Sequence, residues 1–502
     1  MTTDDPQPLA ARGDRRSVRP TSQRFLDFVT SGWGPRPALG VTRAPVADFA
    51  AERRARLSRE FPGRRLVVPA GRPKVRSNDT DFRFRPHAAF AHLTGLGMEQ
   101  EPEAVLVLHP VDEGTGDGGS NHTAVLYLRP PAGRDTEEFF ADSSHGEFWV
   151  GARPALDDIA ELTGIRTAHL DDLRDALAKD VGPDGVQVLL VSGVDQAVDE
   201  VVEQIRADEA AGRADERLVE ALSELRLVKD SWELGQLQAA IDATNAGFEK
   251  VVRALPEALA HRRGERVVEG TFLGHARQEG NDVGYHTIAA SGEHATTLHW
   301  TDNDGTVRDG DLLLLDAGVE VDSLYTADVT RTLPVDGAFT PVQRRVYQAV
   351  LDAADAAIAA IRPGIKFREV HGAAMKVIAA RVAEWGLLPV SAEESLDDGV
   401  QYHRRWMVHG TSHYLGLDVH DCAQARAEMF LDKVLEPGMV FTVEPGLYFK
   451  ADDLLVPEEY RGIGVRIEDD VVVTQDGAEL MTWGLPRDPD AVEAWMAALR
   501  RS

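Results

Sequence analysis

Four strand-like apolar runs in the C-terminal half of this 502-residue chain each carry a carboxylate at or beside one end. Leu312-Leu313-Leu314-Leu315 runs into Asp316-Ala317-Gly318, and Asp328 opens Val329-Thr330-Arg331-Thr332-Leu333. Val440-Phe441-Thr442-Val443 ends on Glu444, stopped by Pro445-Gly446, and Gly464-Val465-Arg466-Ile467 leads into Glu468. A carboxylate at the end of a buried strand is costly unless it is hydrogen-bonded, paired or metal-bound. Taken singly, Asp316 can cap a strand, Asp328 can pair with Arg331, and Arg466 with Glu468. Taken together, carboxylates packed within a few ångströms cannot all stay ionised, because like charges raise one another's pKa values. Two divalent cations neutralise such a cluster. Asp328 follows Asp316 by twelve residues, a spacing that a return strand turns into proximity.

A second feature lies between these runs. His409, His413 and His420 fall within His409-Gly410-Thr411-Ser412-His413-Tyr414-Leu415-Gly416-Leu417-Asp418-Val419-His420-Asp421. Isolated core histidines are common, but three among glycines and small residues are hard to explain as packing. The segment lacks the glutamate of His-Glu-x-x-His, which argues against a single-zinc protease helix. Arg466 and Glu468 are two apart and share a strand face, with Asp469 pointing the other way.

The rest of the chain sets limits. Its length favours two domains. A formal charge of −29 argues against a nucleic-acid partner, which needs clustered Lys and Arg. Cys422 is the single cysteine, so an intramolecular disulfide and a thiolate zinc site are both excluded, and a reducing compartment is expected. No signal-like leader or membrane-spanning apolar run is seen, so the expected location is the cytoplasm, away from membranes. Residues 1–45 read as an extension, irregular in part over its first 40 residues. Residues 46–228 read as a mixed α/β domain, with strands around Leu66–Val68, Ala104–Leu108, Ala124–Leu128 and Val188–Val191 and a flexible hairpin loop at 112–119. A second, α+β domain is expected over 229–490, followed by a tail, 491–502. Its first helix is expected to be capped by Asp230 with Glu233 three residues on, to present Leu234, Leu237, Ile241, Phe248, Val252 and Leu255 on one face, and to end at Pro256. Strands are expected at Thr287–Ser291, Leu312–Val319, Asp328–Val335, Val440–Tyr448 and Gly464–Val473, with a helical stretch near 340–385.

In that order, the segments Leu-Asp-Ala-Gly, Ala-Asp-Val-Thr-Arg-Thr, His-Gly-x-Ser-His-x-Leu-Gly-Leu-Asp-Val-His-Asp, Val-Glu-Pro-Gly-Leu-Tyr and Tyr460-Arg461-Gly462-Ile463-Gly464-Val465-Arg466-Ile467-Glu468-Asp469-Asp470 resemble the creatinase/methionine aminopeptidase, or "pita-bread", metallopeptidases. Within that family the resemblance is to aminopeptidase P. It spans roughly 230–490, with a weaker match at Ser77-Asn78-Asp79-Thr80, Thr94-Gly95 and Glu101–Leu106. The resemblance implies a pita-bread catalytic domain behind a smaller α/β domain, and a homo-oligomer, dimer or tetramer. It implies five metal ligands: Asp316 and Asp328, with Asp328 bridging, His413 and Glu444 on one ion, and Glu468 bridging both. Oxygen-dominated ligation with one imidazole suits Mn²⁺, the expected ion, or Co²⁺ or Zn²⁺.

The implied reaction is release of the first residue from peptides with proline second, by water activated between two metals. Glu444 would move the proton, and His420 and His299 would donate to the carbonyl oxygen. His409, Tyr448 and Arg466 would line the substrate pocket. In two places the chain departs from the pattern. The aspartate spacing is twelve where eleven is commoner, which an extra turn residue near Asp322-Ser323 would absorb, and Phe90-Ala91-His92-Leu93 replaces a more aromatic stretch. A prolidase, a metal-free creatinase and a non-catalytic binding module are the rival readings.

Overall fold

Residues 22–36, 38–78, 80–182, 184–206 and 211–501 are described by the computed structural model. Residues 1–21 and Pro37 of the expected extension, Asp79 of the weaker N-terminal match and Ser502 of the tail lie outside them. The chain divides into two units, Met1–Val219 and Glu220–Ser502.

In the first unit five strands form one sheet in the order Arg166–His169, His122–Leu128, Val105–Pro110, Arg64–Pro69, Gln187–Leu190. The three central strands are antiparallel neighbours and the two outer ones pair in parallel. Their near-continuous Val/Leu runs suit strands buried on both faces. Val67, Val107, Tyr127, Leu177 and Leu190 meet in one core. The loop at 112–119 joins two of these antiparallel strands, as its composition suggests.

The second unit opens on the helix Ser231–Ala260. Asp230 Oδ1 accepts from the Trp232 and Glu233 amides, each at 3.0 Å, and Glu233 Oε2 accepts from the Asp230 amide at 2.9 Å. Of the expected face, Leu237, Ile241, Phe248, Val252 and Leu255 are buried, and Leu234 in the first turn is half-buried. Pro256 does not end the helix, which continues to Ala260. The missing amide removes one hydrogen bond, while burial of Leu255 and Ala258 holds the following turn. The stretch 340–385 is two helices, Pro341–Ala360 and Arg368–Glu384.

Two three-stranded sheets carry the carboxylates. One has the order Val329–Pro334, Leu312–Ala317, Ile288–Ser291, and the other Val440–Val443, Asp469–Val473, Ala478–Leu480. The single strands expected at Val440–Tyr448 and Gly464–Val473 are each broken. Val443 pairs with Asp469 and Gly446 with Arg466, so the two chains part and re-pair on either side of Glu444 and Glu468. Pro445 has no amide to continue the ladder. Instead the Glu444 amide donates to Thr411 O at 2.8 Å and the Glu468 amide to Thr330 O at 3.1 Å. The interruption is what aims both glutamates away from the sheet.

Candidate metal centre

The two aspartates converge because of strand register. Asp316 stands opposite Thr330, and Ala317 opposite Val329, which leaves Asp328 just beyond the last pair. Gly318 is essential to that approach: a β-carbon there would lie 1.8 Å from Ala327 O. The turn between them closes with Val321 N donating to Tyr325 O at 3.0 Å and Leu324 N to Val321 O at 2.8 Å, with Leu324 at φ +73°. Both aspartates face one cavity. His413 is fastened to the other sheet, its carbonyl accepting from Thr442 N at 2.9 Å and its amide donating to Thr442 Oγ1 at 3.2 Å.

Asp316, Asp328, His413, Glu444 and Glu468 all line a cavity of about 570 Å³, together with His299, His409, His420 and Arg466. Tyr448 stands behind this wall and reaches it through hydrogen bonds, its hydroxyl lying 2.8 Å from His409 Nε2 and accepting from Arg466 Nη1 at 3.1 Å. His413 Nε2 is 3.2 Å from Asp328 Oδ2 and 3.7 Å from Glu444 Oε1. The His413 and His420 rings meet edge-on with centroids 4.4 Å apart. Arg466 pairs with Asp316 and donates from Nε to Thr330 Oγ1 at 3.1 Å, and Thr330 Oγ1 donates to Glu468 Oε2 at 2.7 Å. The alternative pairings therefore fail: Arg331 is engaged with Asp469, and Arg466 with Asp316.

The electrostatics record crowded negative charge. Burial and the carboxylates of Asp328, Glu444 and Asp316 push Glu468 well above the usual range. Burial, helped by Asp328 and Asp316 against His413 and Arg466, lifts Glu444 to about 7. Asp316 is raised by burial and Asp328, against Arg466. Burial lowers His413, but hydrogen bonding to Asp328 and the charge of Glu444 more than offset it, to about 9. Burial and Arg466 bring His409 down to about 3, and burial and His413 lower His420.

This donor set fits divalent cations. Asp328, His413 and Glu468 each offer a ligand atom within 4.8 Å of the others, and Asp316 and Glu444 face the same cavity. Raised carboxyl values mean that protons relieve the repulsion when nothing else does, and cations relieve it while leaving the carboxylates charged.

Three neighbours escaped sequence reasoning. Tyr285 lines the cavity and donates its hydroxyl to Asp316 Oδ1 at 2.7 Å. Thr330 links Arg466 to Glu468. Asp470 accepts from the Asp328 amide at 3.1 Å, and burial and Asp328 hold it well above the usual carboxylate range. Asp470 had a signal, being a third consecutive acid after an apolar run. Tyr285 and Thr330 had none, because their partners are remote in sequence.

A profile of metallopeptidase family M24 matches residues 235–475, and one of the aminopeptidase P N-terminal domain matches 50–189. Xaa-Pro aminopeptidase 1 of Streptomyces coelicolor is 50% identical over 479 residues, covering 95% of this chain and 93% of the relative. This chain belongs to the aminopeptidase P branch of family M24. Membership makes it a metallopeptidase with the two-domain aminopeptidase P fold, its pita-bread domain following the smaller one. Xaa-Pro aminopeptidase 2 of the same organism is 51% identical, covering 96% of this chain and 98% of the relative. Among solved family members, aminopeptidase PepP of Pseudomonas aeruginosa has a TM-score of 0.78 at 31% identity, covering 92% of this chain and 100% of that one. Proline aminopeptidase P II of Yersinia pestis has a TM-score of 0.76 at 32% identity, covering 90% of this chain and 99% of that one.

Proposed function

We propose that this metallopeptidase releases the N-terminal residue from peptides with proline in the second position, using two divalent cations. The carrying observation is that four carboxylates and one imidazole from separate strands and loops line one cavity, where burial and neighbouring carboxylates raise Asp316, Glu444 and Glu468. Asp316, Asp328, His413, Glu444 and Glu468 would hold the cations. Bound cations supply Lewis acidity, lowering the pKa of water and polarising a carbonyl. Mn²⁺ suits the oxygen-rich set, and Co²⁺ or Zn²⁺ would also fit.

The chain's own groups do the rest. Glu444 takes the proton of the attacking water and passes it to the leaving imino nitrogen. His420, lowered and therefore neutral, and His299 donate to the carbonyl oxygen as charge gathers there. His409 lines the cavity and packs against the proline ring, Tyr448 braces His409 from behind through the 2.8 Å hydrogen bond, and Arg466 braces Asp316 and Tyr448. Proline needs such a dedicated pocket because it lacks an amide hydrogen and has a fixed φ.

The proposal extends to a catalytic domain over 229–490 behind a domain over 46–228, a cytoplasmic location and a homo-oligomer, dimer or tetramer. Among the described residues no helix is long and apolar enough to cross a membrane. Hydrolysis of Gly-Pro-Pro with bound metal measured in parallel tests the reading. Release of glycine by protein carrying two cations is expected. Cleavage of Gly-Pro alone would make it a prolidase, and absence of both metal and cleavage would end the enzymatic reading.

A further inference from the structure

We propose that Glu265 is a positioning residue that sets the place of His299 at the cavity by clamping the loop over 292–305. The proposal rests on the reading above, in which His299 donates to the substrate carbonyl.

Glu265 lies in the first turn of the helix Gly264–Glu279 and is 0% exposed. Its carboxylate accepts four hydrogen bonds. Oε1 takes Ser291 N and His294 Nδ1, both at 2.8 Å, and Oε2 takes Trp300 Nε1 at 2.9 Å and Gly305 N at 2.7 Å. A carboxylate that only capped its helix would accept from first-turn amides. These donors come instead from a strand end and from both limbs of one loop. The Glu265 amide returns a bond to Gly305 O at 3.2 Å. Gly305 is needed for this closeness, since a β-carbon there would lie 2.7 Å from Glu265 Oε2.

His299 sits inside the clamped segment. Its neighbour Trp300 is held by Glu265 and stacks on His294, ring centroids 3.9 Å apart at 24°. Leu298 and His299 then face the cavity. Asn303, buried at φ +46°, fixes the far limb, accepting from Ala289 N at 2.9 Å and donating to Thr287 O at 2.8 Å. Only an ionised carboxylate has acceptor capacity for all four donors. An amide of the same shape has one oxygen, and its NH₂ would face two N–H groups.

Glu265→Gln tests this on the metal-loaded protein. Amide hydrogen exchange over 292–305 should quicken about ten-fold or more while the helix Ser231–Ala260 is unaffected. The kcat for an Xaa-Pro peptide should fall roughly ten- to hundred-fold with little change in KM. In a His299→Ala background Glu265→Gln should cost nothing further. Unchanged exchange overturns the clamp. A loss that multiplies with that of His299→Ala overturns the link to His299. If His299→Ala keeps wild-type activity, the catalytic reading of His299 falls; quickened exchange in Glu265→Gln would then leave the clamp standing, and unchanged exchange would overturn the clamp as well. Trp300→Phe removes one donor and keeps the ring, and it is read the same way where Glu265→Gln does not fold.

Discussion

Nε2 of His413 lies 3.2 Å from Oδ2 of Asp328, although Asp328 precedes a strand of one sheet, His413 sits in a loop fastened to the other, and the two are 85 positions apart. That contact joins the two sheets at the proposed metal site. Asp328→Asn keeps the shape and removes the charge. It should lose most bound metal, with activity falling by more than the roughly 10–100-fold typical of an outer partner. Elemental analysis and peptide hydrolysis measure both, and near-normal values would remove Asp328 from the ligand set.

Gly318→Ala should separate the aspartates without touching either. The added methyl would collide with the Ala327 carbonyl, so the strand ends must move apart. A stability loss of about 1–3 kcal/mol is expected, together with weakened metal binding seen by calorimetry. Wild-type affinity would show that the strand ends are more pliant than their register suggests.

Metal stabilisation should grow with pH. Without metal, Glu444 at about 7 and His413 at about 9 stand above their usual 4.5 and 6.5. Raised groups hold protons in the folded chain that the unfolded chain has released. Their share of stability is fully present below the usual values and is lost as pH rises through 7 and 9. The same protons compete with cations, so loading releases them. The drop in melting temperature on adding chelator should therefore be larger near about pH 8.5 than near about pH 6.5. A drop independent of pH would count against both groups as ligands.

Asp421 holds the loop that carries His413 and His420. It is 1% exposed and receives Arg226 Nε at 2.8 Å and Lys229 Nζ at 3.3 Å. Against burial, these two cations bring it to about 2 from the usual 3.8. Its contribution is present above 3.8 and disappears as pH falls towards 2. Asp421→Ala leaves both cations buried and unpaired and should cost about 3–5 kcal/mol in chemical denaturation. A cost below 1 kcal/mol, about the worth of a surface pair, would show that water reaches the site.

How much of this could be read from the chain alone follows from the range of each interaction. Leu312–Leu315 announces a buried strand, and Asp316 at its end announces a charge needing a partner, because hydrophobic pattern and strand period are local. Asp230 and Glu233 cap their helix as their spacing requires, three residues apart. Family motifs carried the remaining proposed ligands, since a motif packs long-range geometry into local letters.

Where elements compete across long separations, local reading stopped short. Pro256 looked like a helix end, but burial of Leu255 and Ala258 outweighed one lost hydrogen bond. Val440–Tyr448 looked like one strand, but Glu444 and Glu468 lie where two ladders change partners. Tyr285 on Asp316, Thr330 between Arg466 and Glu468, and Glu265 beneath the His299 loop are matters of packing. Residue type and spacing set which groups had to be neutralised, and the three-dimensional pairing of strands chose the neighbours that do so, because hydrogen bonds and ion pairs act over a few ångströms whatever the distance along the chain.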